Sequence, residues 1–486
     1  MDMLSLEDAQ KKTRTLSDAL LARRPAISEE LAYYRGEQGT LRFGGEKFTQ
    51  QFKDQFKGFA DNWCQPVADA SPERMTLIGI RPYGKAKADV ETNRAWERAE
   101  AAAGMQTALQ VRSAARRSFA LVAPGRTDQT PRITFESPEQ AIVDSDPATR
   151  ERRAGLIMWA DDKIEFATLY TPNQVWKFQR EVSEDRHERL GRPVDLTGGW
   201  EPRTVGMGAD EPAVGVNPLG EVPLVELRNR DMLDDQPMSD IRGVMAMQDA
   251  INLVWAYLIN ALDAASLPQR VVTGASPPEV PVLDKDGQKV GSRPVELDDL
   301  LGEKILWVPG DTAKTAEWSR SQLEPFSRVI EQAVEHIAAQ TRTPPHYLMT
   351  KLINTAAESL TISEAGLVSK TRQAITSVNP PTRDIYKLMA LAMRRPNSEV
   401  EALAAGIPMW ADIQYRSEAQ RADALVKKRQ MGYPLRWIFE QDGNSPEEID
   451  RIMDMIREEQ ETDPLAAQHY ADSGLPTSDT GLVLPE

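Results

Sequence analysis

Between Ser239 and Arg395 the chain passes through four kinds of segment in a fixed order, and that order constrains the fold more than any other feature. The first is an amphipathic helix from Asp240 to Ser266, with Ser239 placed to cap it. Val244, Met247, Ile251, Val254, Trp255, Leu258 and Leu262 recur at helical spacing and make one broad apolar stripe. At 1.5 Å per residue this helix would be roughly 40 Å long. A Pro/Gly-punctuated insert from Leu267 to Arg320 comes next, with Arg270–Thr273 and Lys304–Val308 as strands and Lys285-Asp286-Gly287 as a turn. The second helix, Ser321 to Thr341, carries Phe326, Val329, Ile330, Ala333 and Ile337 on one face. Its start is open between a capping box on Ser321 and Glu324 and a first turn at Pro325. It stops before Pro344-Pro345, because the residue preceding a proline disfavours helical geometry. Thr350 to Ser359 is a polar loop with one cation, Lys351, and more helix follows. Two helices with apolar stripes wider than their own hairpin can bury need other surfaces to cover them. That predicts a subunit that packs against copies of itself.

The 486 residues suffice for roughly three domains and a sizeable core. A single cysteine, Cys64, excludes an intramolecular disulfide framework and fits a reducing compartment. The opening MDMLSLEDAQKK has no apolar core, so no secretory signal is expected. The most apolar helical run, Ala250 to Leu262, contains Asn252 and Asn260 and falls short of the about 20 residues a membrane span requires. The net charge is −16, and Glu440 to Glu486 alone contributes −11, from 13 acidic residues against Arg451 and Arg457. Tight nucleic-acid binding rests on phosphate neutralisation, so an acidic chain is a poor gripper of DNA. It can still enclose a polyanion that slides.

Outside the central run, Ser5 to Gly36 reads as a helix interrupted at Pro25. Lys47 to Ala70 reads as a second, with Phe48, Phe52, Phe56, Phe59, Trp63 and Val67 at helical spacing, and Ala-rich Arg94 to Arg117 as a third. The pattern then turns to short β-type runs at Ile133–Phe135, Ala141–Val143, Ala154–Trp159, Ile164–Tyr170 and Gln174–Phe178, which predict a small, mostly antiparallel sheet. Glu181 to Val222 is polar and Gly/Pro-rich and reads as a long loop, before a return to strand at Val222–Leu227. Leu360–Val378 and Thr382–Arg395 read as helices broken by Asn379-Pro380-Pro381. Ser417–Gln430, Pro434–Gln441 and Ser445–Glu461 are three more, and a disordered tail is expected after Asp463.

Chemistry-bearing constellations are absent from the pattern. Gly215 to Gly220 has P-loop glycine spacing but is followed by Glu221 rather than Lys, and so predicts a tight turn before a strand. His336 and His346 flank a helix end without a metal-binding motif. Asp144, Asp146, Asp161 and Asp162 lack the glycine and terminal Glu of a calcium loop and read as a solvated turn. The Phe48–Phe59 stripe reads as core rather than as a base-stacking platform, and Cys64 as a buried small hydrophobe. No catalytic residue, cofactor site or metal site is expected.

Several strings stand in a specific order: Tyr34-Arg35-Gly36, Phe59-Ala60-Asp61-Asn62-Trp63-Cys64, Asp144-Ser145-Asp146-Pro147 with Arg150, Asn217-Pro218-Leu219-Gly220, Met247-Gln248-Asp249-Ala250-Ile251-Asn252, Leu267-Pro268-Gln269-Arg270, and His336 through Thr343-Pro344-Pro345-His346-Tyr347-Leu348. Over about Tyr33 to Leu391 this order resembles tailed-bacteriophage portal proteins of the SPP1 Gp6-like family, of the actinobacteriophage type.

The resemblance implies an α+β, mostly helical portal fold. Residues 1–239 would form an N-terminal region and α/β wing. Residues 240–266 and 321–341 would be stem helices, 267–320 a β-containing clip, 342–406 the tunnel loop and wing helices, 407–462 a helical crown and 463–486 a tail. A long continuous helix would follow the tunnel loop, at odds with the local reading of Asn379-Pro380-Pro381. The resemblance further implies a homo-oligomeric ring, usually of twelve subunits, at one vertex of the virion capsid, assembled in the host cytoplasm. Double-stranded DNA would be packaged and ejected through it. Its partners would be the terminase large subunit, head–tail adaptors, and major capsid and scaffolding proteins, with no membrane. Lys351, Asn354 and Thr355 would touch passing DNA weakly, and Val244, Ile251, Trp255, Leu258, Phe326, Ile330 and Ile337 would pack the stems of the oligomer. Other readings are a different virion assembly subunit, an enzyme with no recognisable site, and a monomeric DNA-binding regulator. The last is disfavoured by the acidic charge and the lack of a basic recognition helix.

Overall fold

A computed structural model describes residues 3–38, 43–44, 59–125, 130–161, 164–181, 199–204, 212–233, 236–266, 270–274, 279–283, 287–294, 305–308, 312, 314–317, 323–349, 357–414 and 418–462. The chain forms two compact units. One comprises Met1–Gln38, Asn62–Val244 and Ala338–Glu486, the other Gly39–Asp61 and Met245–Ile337. The Phe48, Phe52 and Phe56 part of the aromatic stripe, most of the Glu181–Val222 loop and the tail beyond Thr462 lie outside the described residues.

The first unit opens with α1 (Leu6–Arg35), capped by the Ser5 side chain, which accepts from Asp8 N, and closed by Gly36 at φ 73. The expected interruption at Pro25 does not occur. An interior proline forfeits a backbone hydrogen bond, but neighbouring residues anchor the helix across it. Arg24 Nε donates to Glu139 O at 3.0 Å and Ser28 Oγ to Glu139 Oε1 at 2.5 Å, while Leu20 and Ile27 are buried on either side. Then come α2 (Cys64–Asp69), β1 (Leu77–Arg81), α3 (Val90–Arg98) and α4 (Ala101–Ala115). The single helix expected over Arg94–Arg117 is two. Asp89 caps α3 by accepting from Thr92 N at 2.8 Å, and Glu100 turns the chain at φ 52. Arg116 turns it again at φ 71, and Arg117 already belongs to a strand.

The strands are β2 (Arg117–Ala123), β3 (Arg132–Glu136), β4 (Ala141–Ser145), β5 (Arg152–Asp161), β6 (Ile164–Tyr170), β7 (Gln174–Glu181), β8 (Glu201–Pro202), β9 (Val214–Val216) and β10 (Leu224–Arg228). They form two antiparallel sheets: β10-β2-β3, and β4-β5-β6-β7-β8 with β9 also paired to β7. Phe119, Leu121, Ala141, Ile157, Val222 and Leu224 pack together from strands of both sheets and the turn before β10. The sheets approach closely at Gly155, where an added Cβ would lie 3.0 Å from Leu224 Cβ. In a separate cluster, α1 packs Ala9, Leu16 and Leu20 against Leu156, Leu169, Trp176 and Phe178.

The second unit contains α5 (Met245–Ser266), β11 (Arg270–Thr273), β12 (Glu279–Leu283), β13 (Lys289–Pro294), β14 (Ile305–Val308), β15 (Lys314–Glu317) and most of α6 (Glu324–Thr341). The insert is β as expected. β11 sits between β14, parallel, and β15, antiparallel, and β12 pairs with β13. The helix expected from Asp240 begins at Met245 instead, because Ser239 and Asp240 are spent on buried polar contacts described below.

The chain re-enters the first unit within α6. Thr343 N bonds Ala338 O at 3.0 Å while Arg342 holds φ 56, the closing pattern of a helix before Pro344-Pro345. The remaining elements are α7 (Pro345–Leu348), α8 (Ala357–Ala392), α9 (Asn397–Ala404), β16 (Ile407–Trp410), α10 (Glu418–Gln430), α11 (Leu435–Gln441) and α12 (Pro446–Thr462). β16 pairs antiparallel with β1. The break expected at Asn379-Pro380-Pro381 is absent, and α8 runs unbroken for 36 residues. Val378, Thr382, Ile385 and Tyr386 are fully buried across the prolines, and Tyr386 stacks on Trp96 at 5.5 Å. Core packing here outweighs the lost backbone bonds.

Candidate assembly and channel surfaces

The seven residues expected from the resemblance to pack the stems of an oligomer have distinct environments. Val244, Ile251, Leu258, Ile330 and Ile337 are buried within this one chain. Trp255 is half-buried, and its indole Nε1 donates to Asp61 Oδ2 at 2.7 Å with Phe59 edge-on at 6.3 Å. Gln248 and Asn252 complete that attachment. Gln248 Nε2 donates to Asp61 O at 2.5 Å, and Asn252 Oδ1 accepts from Asp61 N at 3.1 Å. Phe326 is half-buried. Among the described residues, the large apolar side chains of α5 and α6 that face solvent are Tyr257, Leu262 and Val329, the last 50% exposed. In the insert, Val280, Val282, Val290 and Val308 are exposed as well.

Lys351, Asn354 and Thr355 lie outside the described residues, so only the flanks of that loop have a geometry. A polar cluster joins them. Arg74 donates to Tyr347 Oη at 2.9 Å and lies 3.3 Å from Glu364 Oε1, and His346 Nε2 is 3.5 Å from the same carboxylate oxygen. The residues before the loop and those in the helix after it therefore share one arginine.

A buried charge cluster lies where the chain passes from β10 toward α5. Asp240 accepts four hydrogen bonds or ion pairs: from Lys370 Nζ at 2.8 Å and Ser113 Oγ at 3.0 Å on Oδ2, and from Asn229 Nδ2 and Arg230 Nε, each at 3.0 Å, on Oδ1. Burial by itself would raise the Asp240 pKa. The Lys370 and Arg230 charges outweigh it and hold the carboxyl below the ordinary carboxylate range. Ser239 Oγ donates to Ala114 O at 2.6 Å and accepts from Ile241 N. Arg112, 2% exposed, donates to Arg228 O at 2.8 Å and Ser377 Oγ at 2.5 Å, and burial pushes it down to about 10. The sequence reading missed this cluster because the partners of Asp240 lie between 10 (Arg230) and 130 (Lys370) residues from it along the chain. The one local signal was a Ser-Asp pair that also suits a helix start.

The remaining candidates are structural. Asp146 Oδ1 accepts from Ala148 N and Thr149 N, and Asp144 pairs with Lys12 at 2.5 Å. Asp162 lies outside the described residues. Asn217 Nδ2 closes the glycine-spaced turn on Thr171 O and Glu221 O, both at 2.7 Å. Cys64 is fully buried. Among the described residues no group of three or more His, Cys, Asp or Glu could hold a metal, and no helix is long and apolar enough to cross a membrane.

Comparison with known proteins places these elements in a family. The phage portal protein family, SPP1 Gp6-like, matches residues 15–462. The portal proteins of Mycobacterium phages D29 and L5 are each 27% identical over 310 residues, which is 62% of this chain and 57% of theirs. The chain thus spans little more than half the length of those relatives. Among solved structures, the neck of a native gene transfer agent particle computed with C12 symmetry is similar at 13% identity and a TM-score of 0.38. That match covers 80% of this chain and 90% of that one. The neck of the empty particle, computed with C6 symmetry, gives 12% identity and a TM-score of 0.39, over 80% of this chain and 91% of that one. With the family matched over nearly its whole length, this chain belongs to the SPP1 Gp6-like phage portal proteins.

Proposed function

We propose that the chain is the repeating subunit of a closed ring, of about twelve copies by the family's resemblance, seated at one vertex of a phage capsid. Double-stranded DNA enters the head through this ring during packaging and leaves through it on ejection. The family match over residues 15–462 carries the reading, and the order of α5, β insert and α6 supports it. The role is mechanical rather than enzymatic: a ring with head-to-tail contacts presents different patches on the two sides of each subunit. The stem residues Val244, Ile251, Trp255, Leu258, Phe326, Ile330 and Ile337 shape the two helices, and the exposed Tyr257, Leu262 and Val329 are where a neighbour gains most from contact. The exposed valines of the β insert suit docking, first of the terminase large subunit and then of head–tail adaptors.

The charge fits a bore that does not grip. Each strong Lys or Arg contact to phosphate would hold DNA against translocation, and the chain carries net −16. In this reading Lys351, Asn354 and Thr355 brush the backbone. Unchanged packaging in a phage carrying Lys351→Ala and Asn354→Ala would remove that role. The ring itself is tested by negative-stain microscopy of the purified protein. Rings with a central hole wide enough for duplex DNA are expected, and a solitary monomer by light scattering would overturn the proposal.

A further inference from the structure

A cavity of 140 Å³ lies beside the Asp240 cluster, lined among others by Arg112, Ser113, Arg230, Lys370 and Ser377. It is many times the roughly 15 Å³ that one water needs. Arg112 and Lys370, at its floor, are 2% and 5% exposed. At its mouth, Arg230 is half-buried and Asp231 and Gln373 are exposed. Three cations line this space. Of its two carboxylates, Asp231 faces Arg228 at 3.4 Å, which leaves Asp240.

Asp240 has no capacity left. A carboxylate offers about four acceptor positions, and Ser113, Lys370, Asn229 and Arg230 occupy two on each oxygen. Arg112 is left with two neutral acceptors, a backbone carbonyl and a hydroxyl, although a guanidinium has five donors. Lys370 contacts Asp240 and has no further hydrogen-bond partner among the described residues, although an ammonium has three donors. Arg230 is held at φ 45, a backbone conformation unfavourable for arginine, while its Nε reaches the cluster. Asp240 acts on the Arg112 guanidinium only through space, with no hydrogen bond between them, and burial outweighs it. A buried cation so weakly paired is costly, and the adjoining cavity leaves room for a further counter-charge.

We propose that this cavity binds a small inorganic oxyanion of the phosphate or sulfate type, held by Arg112 and Lys370 from the floor and Arg230 from the mouth. The anion would tie together α4, the connection between β10 and α5, and α8, which supply these residues. It stabilises the fold by mass action, because it binds the folded chain alone.

The test uses the full chain with inorganic phosphate, against chloride at matched ionic strength. Phosphate is expected to raise the melting temperature in a saturable way, and sulfate to act likewise. Ser377→Ala keeps every charge and opens the floor, and should retain the effect. Lys370→Met should abolish it. Should Lys370→Met fail to fold, the wild-type chain still decides. A cryo-EM map in phosphate buffer is expected to show tetrahedral density between Arg112 and Lys370. Water-sized density alone, or equal melting temperatures in phosphate and chloride, would overturn the proposal.

Discussion

The indole Nε1 of Trp410 donates to Asn379 Oδ1 at 2.8 Å, tying the β1–β16 ribbon to α8 at the residue just ahead of Pro380-Pro381. Thr382 Oγ1 donates to Val378 O at 2.8 Å on the other side of the prolines. The helix thus keeps side-chain contacts where it lacks two backbone donors. Trp410→Phe removes the indole donor and keeps an aromatic ring in place. Stability is expected to fall by about 1 kcal/mol or somewhat more, read as a lower denaturation midpoint. Helical circular dichroism before the transition should be nearly unchanged.

Asp240 makes stability depend on pH. Its carboxyl is held below the ordinary range by Lys370 and Arg230, so in the folded chain it stays charged at pH values where the unfolded chain binds a proton. The stabilisation is therefore complete above the unfolded pKa of about 4 and fades as pH falls through the lower folded value. Asp240→Asn leaves two buried or half-buried cations without their carboxylate, a loss of about 3–5 kcal/mol at pH 7. Denaturant unfolding of both chains across pH 7 to 3 should show the gap between them narrowing toward the acid end.

How much was legible in the sequence depended on the range of the forces involved. The helix, β insert, helix order and the three C-terminal helices are written in local periodicity and caps, as at Ser445, whose hydroxyl accepts from Glu448 N at 3.3 Å. Pro25 and Pro380-Pro381 misled because a proline's cost is local while its compensation is tertiary: Glu139 for the first, Trp410 and the core around Tyr386 for the second. The split at Glu100 was hidden because an alanine-rich stretch carries no stop signal. Apolar spacing on α5 and α6 picked out Ile251, Leu258, Ile330 and Ile337, which are buried, and equally Leu262 and Val329, which are exposed. It could not tell which of them one chain covers by itself, since spacing gives a face and not its occupant.

Gly406 joins α9 to β16 at a place with no room for a side chain. A Cβ there would lie 2.9 Å from Arg81 O and 3.0 Å from Ile80 Cδ1. The carbonyl is fixed in the β1–β16 ribbon, so the backbone must move. Gly406→Ala is expected to cost about 1–3 kcal/mol, measured as a fall in melting temperature with secondary structure retained.

Arg394 presents the opposite case. It ends α8 at φ 56, exposed to solvent, where Arg394 N bonds Leu391 O and Arg395 N bonds Ala390 O, both at 3.0 Å. That helix-ending geometry favours glycine. Arg394→Gly is expected to raise stability by about 0.5–1 kcal/mol, seen as a higher melting temperature. A decrease would mean that the arginine side chain contributes more than its backbone strain costs.

Val329 and Ile330 are neighbours on α6 with opposite environments, 50% and 8% exposed. In a ring whose subunits meet along the stems, the exposed residue matters for assembly and the buried one for folding. Val329→Asp places a charge on the solvent face, so the stability of the single chain should change by no more than about 0.5 kcal/mol. Ring formation should nevertheless fail, because an unpaired carboxylate in an apolar contact is costly to desolvate. Ile330→Asp should instead destabilise the chain before assembly is reached. Light scattering and melting curves on the two variants separate these outcomes. Intact rings of Val329→Asp would show that neighbouring subunits do not meet on this face of α6.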